Sequence, residues 1–302
     1  MRRPSPGVVL SFALLGISFA GPLVRLSGAD PLAIAVWRLG FSLLIVGGFL
    51  AGSGQWREWR SAGRTTVLLS VLAGVFLALH FWAWNASIHL TTIAASVTLV
   101  SIQPAIVAAL SAILLREAPT PRQIGGMALA IGGAFLIAAP DLRGDQPLLA
   151  NSAMLGNLLA VSGALTAALY YTIGRHARGK LGVWSYVGIA YSAAFLTLLL
   201  ISGWRGVHLA PQPSREIAIF AGLALGPMLL GHTGMNWALK FLPAYVVNLL
   251  VLGEPIGATA LGAIIPAIHQ VPSPTTLLGG AVVLTGVIIA ATAPAKLAAL
   301  QN

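Results

Sequence analysis

Two charged side chains interrupt apolar stretches of this sequence. Glu254 lies in the run VLGEPIGATALG and is the only carboxylate well inside a long apolar segment, while Arg38, in VWRLG, is the only cation so placed. An ionised group is costly to bury in hydrocarbon, so each must be neutralised, paired or turned toward water. Glu254 could carry a coupling proton, bind a substrate amine, pair with Arg38 or make a simple hydrogen bond. Arg38 could clamp a substrate carboxylate or snorkel to the membrane surface.

Two prolines accompany polar residues in the middle of apolar runs. Gln103-Pro104 and Glu254-Pro255 both fall near the centre of a long apolar segment, which places them near the bilayer midplane if the segment is helical. A proline inside a helix removes a backbone hydrogen bond and kinks the chain, here freeing the carbonyls of Val100 and Val251. The two prolines could be hinges of moving helices, or static kinks whose backbone groups are satisfied by neighbours.

The richest group of polar and aromatic side chains is HFWAWN, from His80 to Asn85. An imidazole in an aromatic wall suits an amphipathic organic molecule or a cation, although tryptophan also marks the membrane interface. Other polar residues in apolar runs could line the same cavity or only satisfy packing contacts. The candidate substrate-binding residues are His80, Trp84, Ser96, Gln103, Tyr191, His232, Tyr245, Asn248 and Glu254.

A membrane-embedded fold must position these residues. The chain has 302 residues, of which 57% are hydrophobic and 8% charged, and its mean hydropathy is +0.88, outside the range of soluble domains. The net charge of +10 does not indicate nucleic acid as a partner, because the cations are scattered between apolar runs rather than gathered on one basic face. The sequence has no cysteine, HExxH motif, nucleophile elbow or Walker loop. It therefore predicts no enzyme, no cofactor and no bound metal.

Ten apolar runs are long enough to cross a bilayer as helices, for which roughly 20 residues are needed. The breaks between them are short and rich in proline, glycine and charge, so we expect no soluble domain. The first run follows Arg2 and Arg3 and imitates a signal peptide, but its length and the Asp30-Pro31 start of the next run favour an uncleaved first helix. The predicted spans are 7–26, 31–50, 66–88, 91–115, 121–139, 153–174, 184–203, 217–239, 243–267 and 274–293.

The distribution of lysine and arginine predicts the orientation. With the N-terminus in the cytoplasm, twelve of these residues lie in inner segments and four, namely Arg25, Arg143, Arg205 and Arg215, lie in outer ones. Cytoplasmic loops of membrane proteins carry the excess of cations. The sequence thus predicts a protein of the inner membrane with both termini in the cytoplasm.

An internal repeat relates the two halves of the chain. Residues 85–114 align without a gap to 236–265 at a constant offset of 151, with eight identities that include Asn85 with Asn236 and Pro104 with Pro255. The match joins the third and fourth spans to the eighth and ninth. We therefore predict two five-helix repeats, at 1–145 and 146–302, that enter the membrane in opposite senses because five is odd. Inverted repeats are typical of secondary transporters, whose sites lie near the midplane.

The chain also resembles the EamA-type drug/metabolite transporters. The resemblance covers nearly the whole chain and rests on VWRLG, WNASIHLTTIAASVTLVSIQP, NWALKFLPAYVVNLLVLGEP, LLREAPTPRQIGGMALAIGG and LLGGAVVLTGVIIA. It implies a ten-helix fold of two repeats and the export or exchange of small metabolites, with YddG-like amino-acid exporters as the most similar members. In the family pattern, the acid seen here as Glu117 occurs again in the second half. This chain departs from the pattern at that position, where it has Ile268.

The sequence thus predicts an all-α integral membrane protein that acts as a secondary transporter by alternating access around a central cavity. We expect it to export small metabolites, above all amino acids, including aromatic amino acids. We expect it to act as a monomer, and H+ is the candidate coupling ion. A multidrug or quaternary-cation exporter and a channel-like facilitator are the alternatives.

Overall fold

The computed structural model describes residues 4–142, 150–269 and 273–292. Within these ranges the regular secondary structure is helical, and several of the long helices are built from consecutive segments. Short helices at Gln55–Arg57 and Glu58–Ser61 connect the long helix that ends at Ser53 to the one that begins at Arg64. The long helices are α1, Pro6–Ser18 and Ala20–Leu26; α2, Pro31–Ser53; α3, Arg64–Leu90; α4, Ile93–Val100, Gln103–Leu110 and Ser111–Leu115; α5, Pro121–Leu142; α6, Ala150–Arg178; α7, Val183–Trp204; α8, Ser214–Leu223, Ala224–Thr233 and Gly234–Ala238; α9, Ala244–Asn248, Leu249–Gly253 and Glu254–Ile264; and α10, Pro274–Ala291.

Eight of these helices, α1 to α4 and α6 to α9, are long and apolar enough to cross a membrane. This confirms the predicted all-α membrane architecture for the described residues. The predicted fifth and tenth spans are present as the helices α5 and α10, but they fall outside that set of eight. The count of ten spans therefore remains a prediction.

Side-chain caps and prolines fix where several helices begin. Ser5 and Asp30 accept backbone hydrogen bonds at 3.3 and 2.8 Å, each directly before a proline, Pro6 and Pro31, that opens the helix. Thr92 caps α4 in the same way at 3.1 Å. An oxygen at the cap satisfies a free N–H of the first turn, and proline is favoured at the first helical position because it has no N–H to satisfy.

The helices pack in pairs that correspond between the two halves. Helix α3 packs against α6, and α8 packs against α1; in the same way α4 packs against α6, and α9 packs against α1. If α1 to α5 are exchanged with α6 to α10, the contact of α3 with α6 becomes that of α8 with α1. The contact of α4 with α6 likewise becomes that of α9 with α1. The predicted boundary at 145/146 lies outside the described residues, as do Arg2, Arg3, Arg143 and Lys296 of the cation count.

Helices α5 and α10 pack through small residues. A Cβ atom added at Gly133 would lie 2.6 Å from the backbone nitrogen of Val283, and one added at Gly286 would lie 2.5 Å from the nitrogen of Ala130. Neither position leaves room for a side chain, so only glycine permits this separation of the two backbones. Helix α5 therefore packs closely against α10.

The interhelical loops form two opposite ends of the bundle. At one end Glu58 accepts a hydrogen bond from the N–H of Gly182 at 2.6 Å, and Arg175 contacts Glu117; this is called the Arg175 end. At the other, the Arg25 end, Ser27 donates to Glu216 at 2.5 Å. Adjacent loops alternate between the two ends, as expected for helices that cross the bundle one after another.

Candidate functional site

Helices α4 and α9 are interrupted at the level of the two prolines. In α4 the first segment ends at Val100 and the next begins at Gln103, while in α9 a 3-10 segment, Leu249–Gly253, leads into the segment that begins at Glu254. Both prolines therefore open a new helical segment, where a missing N–H has no cost, instead of kinking a continuous helix. The predicted free carbonyl of Val251 is also corrected, because it accepts a hydrogen bond from the Glu254 N–H.

A hydrogen bond joins the two interruptions. The Gln103 amide donates to the side-chain oxygen of Asn248 on α9, and the Asn248 amide donates to the carbonyl of Ala244 at 2.9 Å. Gln103 is buried and Asn248 fully so. The contact ties the first half of the chain to the second at the level where both helices lose their regular backbone bonding.

A third irregularity brings α8 to the same level. Its central segment, Ala224–Thr233, is a π-helix that contains Pro227 and carries His232. Pi-helical turns are uncommon and recur at functional sites, and Pro227, Met228 and Thr233 of this segment are buried in the bundle.

A small cavity of about 30 Å³ lies between these interruptions. That volume holds about one or two water molecules, far less than the roughly 300 Å³ or more of ordinary small-molecule pockets. Helices from both halves of the chain form its walls. The lining residues are Ile17, Ala20, Arg38, His80, Phe81, Trp84, Val100, Gln103, Tyr171, Pro227, His232, Met235, Val251 and Glu254.

Arg38 is buried in this wall and does not reach the membrane surface. Its side chain is 1% exposed, and its guanidinium lies 4.1 Å from the ring centroid of Phe81. None of its three guanidinium nitrogens has a hydrogen-bond partner. The snorkelling alternative is therefore wrong: α2 packs between α3, α7 and α8, so the face that carries Arg38 points inward.

Glu254 lines the same cavity without a direct partner. It is 7% exposed, and the ion pairs within the described ranges are Arg175 with Glu117 and Arg215 with Glu216. An Arg38–Glu254 pair in direct contact, one of the roles open for Glu254, is thus not formed in this conformation. The two opposite charges instead face one small space.

The aromatic wall predicted from HFWAWN is largely present. His80 stacks on Trp84 with ring centroids 6.3 Å apart and planes 10° apart, and its Nδ1 donates to the carbonyl of Gly163 at 2.9 Å. His232 lies 6.0 Å from His80 and hydrogen-bonds with the hydroxyl of Tyr171 at 2.9 Å. Two histidines that do not align in the repeat thus meet in the cavity wall.

Several predicted residues lie outside the cavity lining. Ser96 hydrogen-bonds with Ser87 of α3, Tyr191 with Thr233 at 2.9 Å, and Tyr245 is fully buried. Of the residues missed from the sequence, Tyr171 had a visible signal, since a tyrosine pair interrupts the apolar run of α6. Within the described ranges, no cluster of three or more His, Asp or Glu side chains could hold a metal ion.

At the Arg175 end of the bundle, one arginine joins three elements. Arg175, in the last turn of α6, donates to Glu117 Oε1 through Nε at 2.9 Å and Nη2 at 2.7 Å. Its Nη1 donates to the carbonyl of Leu239, the C-terminal cap of α8, at 2.6 Å. Both charged side chains are 10% exposed, so their charge-assisted hydrogen bonds are only weakly screened by water.

The Arg25 end has the same arginine contact without the acid. Arg25, in the last turn of α1, donates through Nη2 to the carbonyl of Thr91, the C-terminal cap of α3, at 2.5 Å. The repeat offset of 151 that relates Gln103 to Glu254 assigns Ile268 as the counterpart of Glu117. Ile268 is partly buried against an apolar cluster that includes Val24. The two ends thus share one arginine-to-cap contact, and in the described residues Arg175 also pairs with an acid, Glu117, whereas Arg25 does not.

Comparisons with known proteins agree on a transporter. The model of the EamA-like transporter family matches residues 6–139 and again 154–292. An uncharacterized transporter of Archaeoglobus fulgidus is 26% identical over 294 residues, 96% of this chain and 97% of that protein. A crystal structure of a protein superposes with a TM-score of 0.73 at 17% identity, over 96% of this chain and 98% of the other; a likeness at this identity concerns the fold alone.

Proposed function

Because the chain belongs to the EamA-like transporter family, within the drug/metabolite transporter superfamily, we propose that it exports small metabolites across the inner membrane, with amino acids as its substrate class. The family match and the relative support the role of a membrane transporter. One observation carries the proposal: a small cavity between broken helices of both halves, lined by Arg38, whose guanidinium has no hydrogen-bond partner, and by Glu254, which is in neither ion pair of the described residues.

The size of the cavity supports alternating access as the mechanism. A space of about 30 Å³ cannot hold an amino acid, so substrate binding requires the walls to separate. The interruptions next to Pro104 and Pro255 are the natural hinges, because broken backbone at membrane depth is tolerated where it lines a cavity. In this proposal the two halves rock against each other around the Gln103–Asn248 contact, and each end of the bundle opens in turn.

The proposed arrangement places ten helices in two inverted repeats, at 1–145 and 146–302, with both termini in the cytoplasm. The two family matches, at 6–139 and 154–292, and the corresponding helix pairs support this arrangement. The Arg175 end then faces the cytoplasm and the Arg25 end faces outward. A single chain contains the whole cavity, which supports a functional monomer.

Six of the candidate residues line the cavity: Arg38, His80, Trp84, Gln103, His232 and Glu254. We assign substrate contact to these six. The remaining candidates act one layer further out, where Asn248 holds Gln103, Tyr191 holds α8 through Thr233, and Ser96 links α4 to α3. Tyr245, near the start of α9, is buried beside the same helices.

Transport by the protein reconstituted into liposomes tests this function. Neutral amino acids, aromatic ones included, and quaternary ammonium cations are offered separately, with and without a pH gradient. Saturable flux of an amino acid, accelerated by the same amino acid on the opposite side, is the expected result. Saturable flux of the cations alone would replace the amino-acid assignment by a cation exporter, and flux that does not saturate would establish a channel.

Glu254 is the proposed carrier of a coupling proton, because it is the one acid that lines the cavity. Glu254→Gln keeps the shape of the side chain and removes its titration. We expect wild-type flux to respond to a pH gradient and the variant flux not to respond. An unchanged pH response in the variant would exclude Glu254 as the coupling group while leaving the transport function standing.

A further inference from the structure

The two unpaired charges of the cavity fit the two charged groups of one small molecule. Resting on the proposed function, we infer that Arg38 and Glu254 form a two-point site for the α-amino-acid zwitterion, in which Arg38 binds the carboxylate and Glu254 binds the ammonium. Arg38 comes from α2 in the first half and Glu254 from α9 in the second. The zwitterion would therefore bridge the two halves.

Arg38 is held ready for a planar anion. Its guanidinium lies over the Phe81 ring at 4.1 Å, which covers one face and leaves the N–H groups at the edges free. All three of its nitrogens are buried without a hydrogen-bond partner. Such a group is costly to keep unpaired, and a carboxylate satisfies it best because two oxygens match the planar guanidinium fork.

Glu254 presents the complementary charge. It is the first residue of the segment Glu254–Ile264 and lines the same cavity as Arg38. Its oxygens take no part in the two ion pairs within the described ranges. A primary ammonium has three donors and would bind to this carboxylate and to a neighbouring acceptor such as the Gln103 side-chain oxygen on the same cavity wall.

The remaining wall selects the side chain of the substrate. His80, Phe81 and Trp84 line the cavity with their rings, and stacking surfaces of this kind favour flat or apolar groups. The site therefore fits amino acids with aromatic or large apolar side chains. Acidic or basic ones would bring a charge that no group of the described lining neutralises.

A second interpretation of the pair is that Arg38 and Glu254 only neutralise each other through space. Direct pairs elsewhere in the protein close fully, as the 2.7 Å contact of Arg175 with Glu117 does, whereas Arg38 and Glu254 remain apart on one cavity. The geometry favours a bridging ligand. The two interpretations also predict opposite results for removing both charges together.

Binding to the purified full-length protein tests the site separately from transport. Three probes share one ring: L-phenylalanine, phenethylamine without the carboxylate, and 3-phenylpropionate without the ammonium. We expect Arg38→Gln to weaken phenylalanine binding by about 10- to 100-fold, the range for a lost charge-assisted hydrogen bond, and to leave phenethylamine binding unchanged. Glu254→Gln should weaken phenylalanine similarly and spare 3-phenylpropionate.

Matched variants separate recognition from folding. Arg122→Gln removes an exposed arginine that, among the described residues, donates to Thr292 at 3.2 Å, and should bind all three probes like the wild type. Arg38→Lys keeps the positive charge but lacks the planar guanidinium. Relative to Arg38→Gln, it should recover only part of the affinity for phenylalanine. The double variant Arg38→Gln/Glu254→Gln should bind phenylalanine more weakly than either single variant.

Two results would overturn the inference. The first is a double variant that regains wild-type phenylalanine affinity, which is the result of mutual neutralisation. The second is a loss of affinity in Arg38→Gln that is equal for all three probes. Failure of the wild type to transport any amino acid would instead refute the proposed function, while the pattern of probe binding still decides the two-point site.

Discussion

The ion pair at the Arg175 end should control how often that end opens. Glu117→Gln keeps the length of the side chain and an oxygen that can accept one hydrogen bond, but removes the charge. In the structure this charge accepts two hydrogen bonds from Arg175, at 2.9 and 2.7 Å, and both side chains are 10% exposed. The contact of Arg175 with the Leu239 carbonyl remains in the variant.

The magnitude follows from the strength of such bonds. A hydrogen bond to a charged group contributes about 1.5–3 kcal/mol when it is largely shielded from water. If the contact exists only while this end is closed, its loss shifts the equilibrium toward the open form by that amount. Since about 1.4 kcal/mol corresponds to a factor of ten, we expect the open population to rise about 10- to 100-fold.

Labelling of a single cysteine measures this population. The chain contains no cysteine, so Met235→Cys, in the cavity wall, provides a reporter without background. When opening is fast relative to labelling, the rate of reaction with an impermeant thiol reagent added at the Arg175 end is proportional to the open population. Arg122→Gln, in the same loop region, is the control for removing a charge there. An unchanged rate in Glu117→Gln, in a protein of normal stability, would refute the assigned role of the ion pair.

Three further perturbations have defined outcomes. Gly133→Ala should lower the free energy of unfolding by about 1–3 kcal/mol through overpacking against α10, as measured by thermal melting. Gly132→Ala should not lower it, because nothing lies within 4 Å of the added Cβ. Equal melting temperatures of the two variants would contradict the packing argument. Ile268→Glu should add the missing acid at the Arg25 end and slow the labelling of Ala20→Cys from that end; an unchanged or faster rate would oppose the proposed correspondence of the two ends. Glu216→Gln weakens an acceptor of hydrogen bonds at 2.5 and 3.1 Å and should speed the same labelling; a slower rate would count against Glu216 as part of that closure.

The sequence could predict much of the fold because membrane-spanning helices are coded locally. Long apolar runs, with Asp30-Pro31 as a clear start signal, predicted to within a few residues the eight described helices that are long and apolar enough to cross a membrane. The polar layer at Gln103 and Glu254 was also visible, because a polar residue before a proline is conspicuous in an apolar run. These signals lie in the segment itself and need no knowledge of its neighbours.

Other features depend on how the helices are rotated in the bundle. Arg38 lies near enough to a helix end to snorkel, and only the packing of α2 between α3, α7 and α8 turns it inward. Tyr171 and Met235 belong to the cavity wall because α6 and α8 present those faces to one another. The prolines were recognised, but their effect on the backbone was not, because opening a new segment or kinking a helix depends on the bonds available nearby.

The central claim is that the Gln103 and Glu254 level becomes open to each side in turn. A cysteine at Val100, which lines the cavity, reports this directly when impermeant reagent is applied to one side at a time. We predict labelling from both sides, with added amino acid changing the two rates in opposite directions or suppressing both. Labelling from the same side only, with and without substrate, would contradict alternating access.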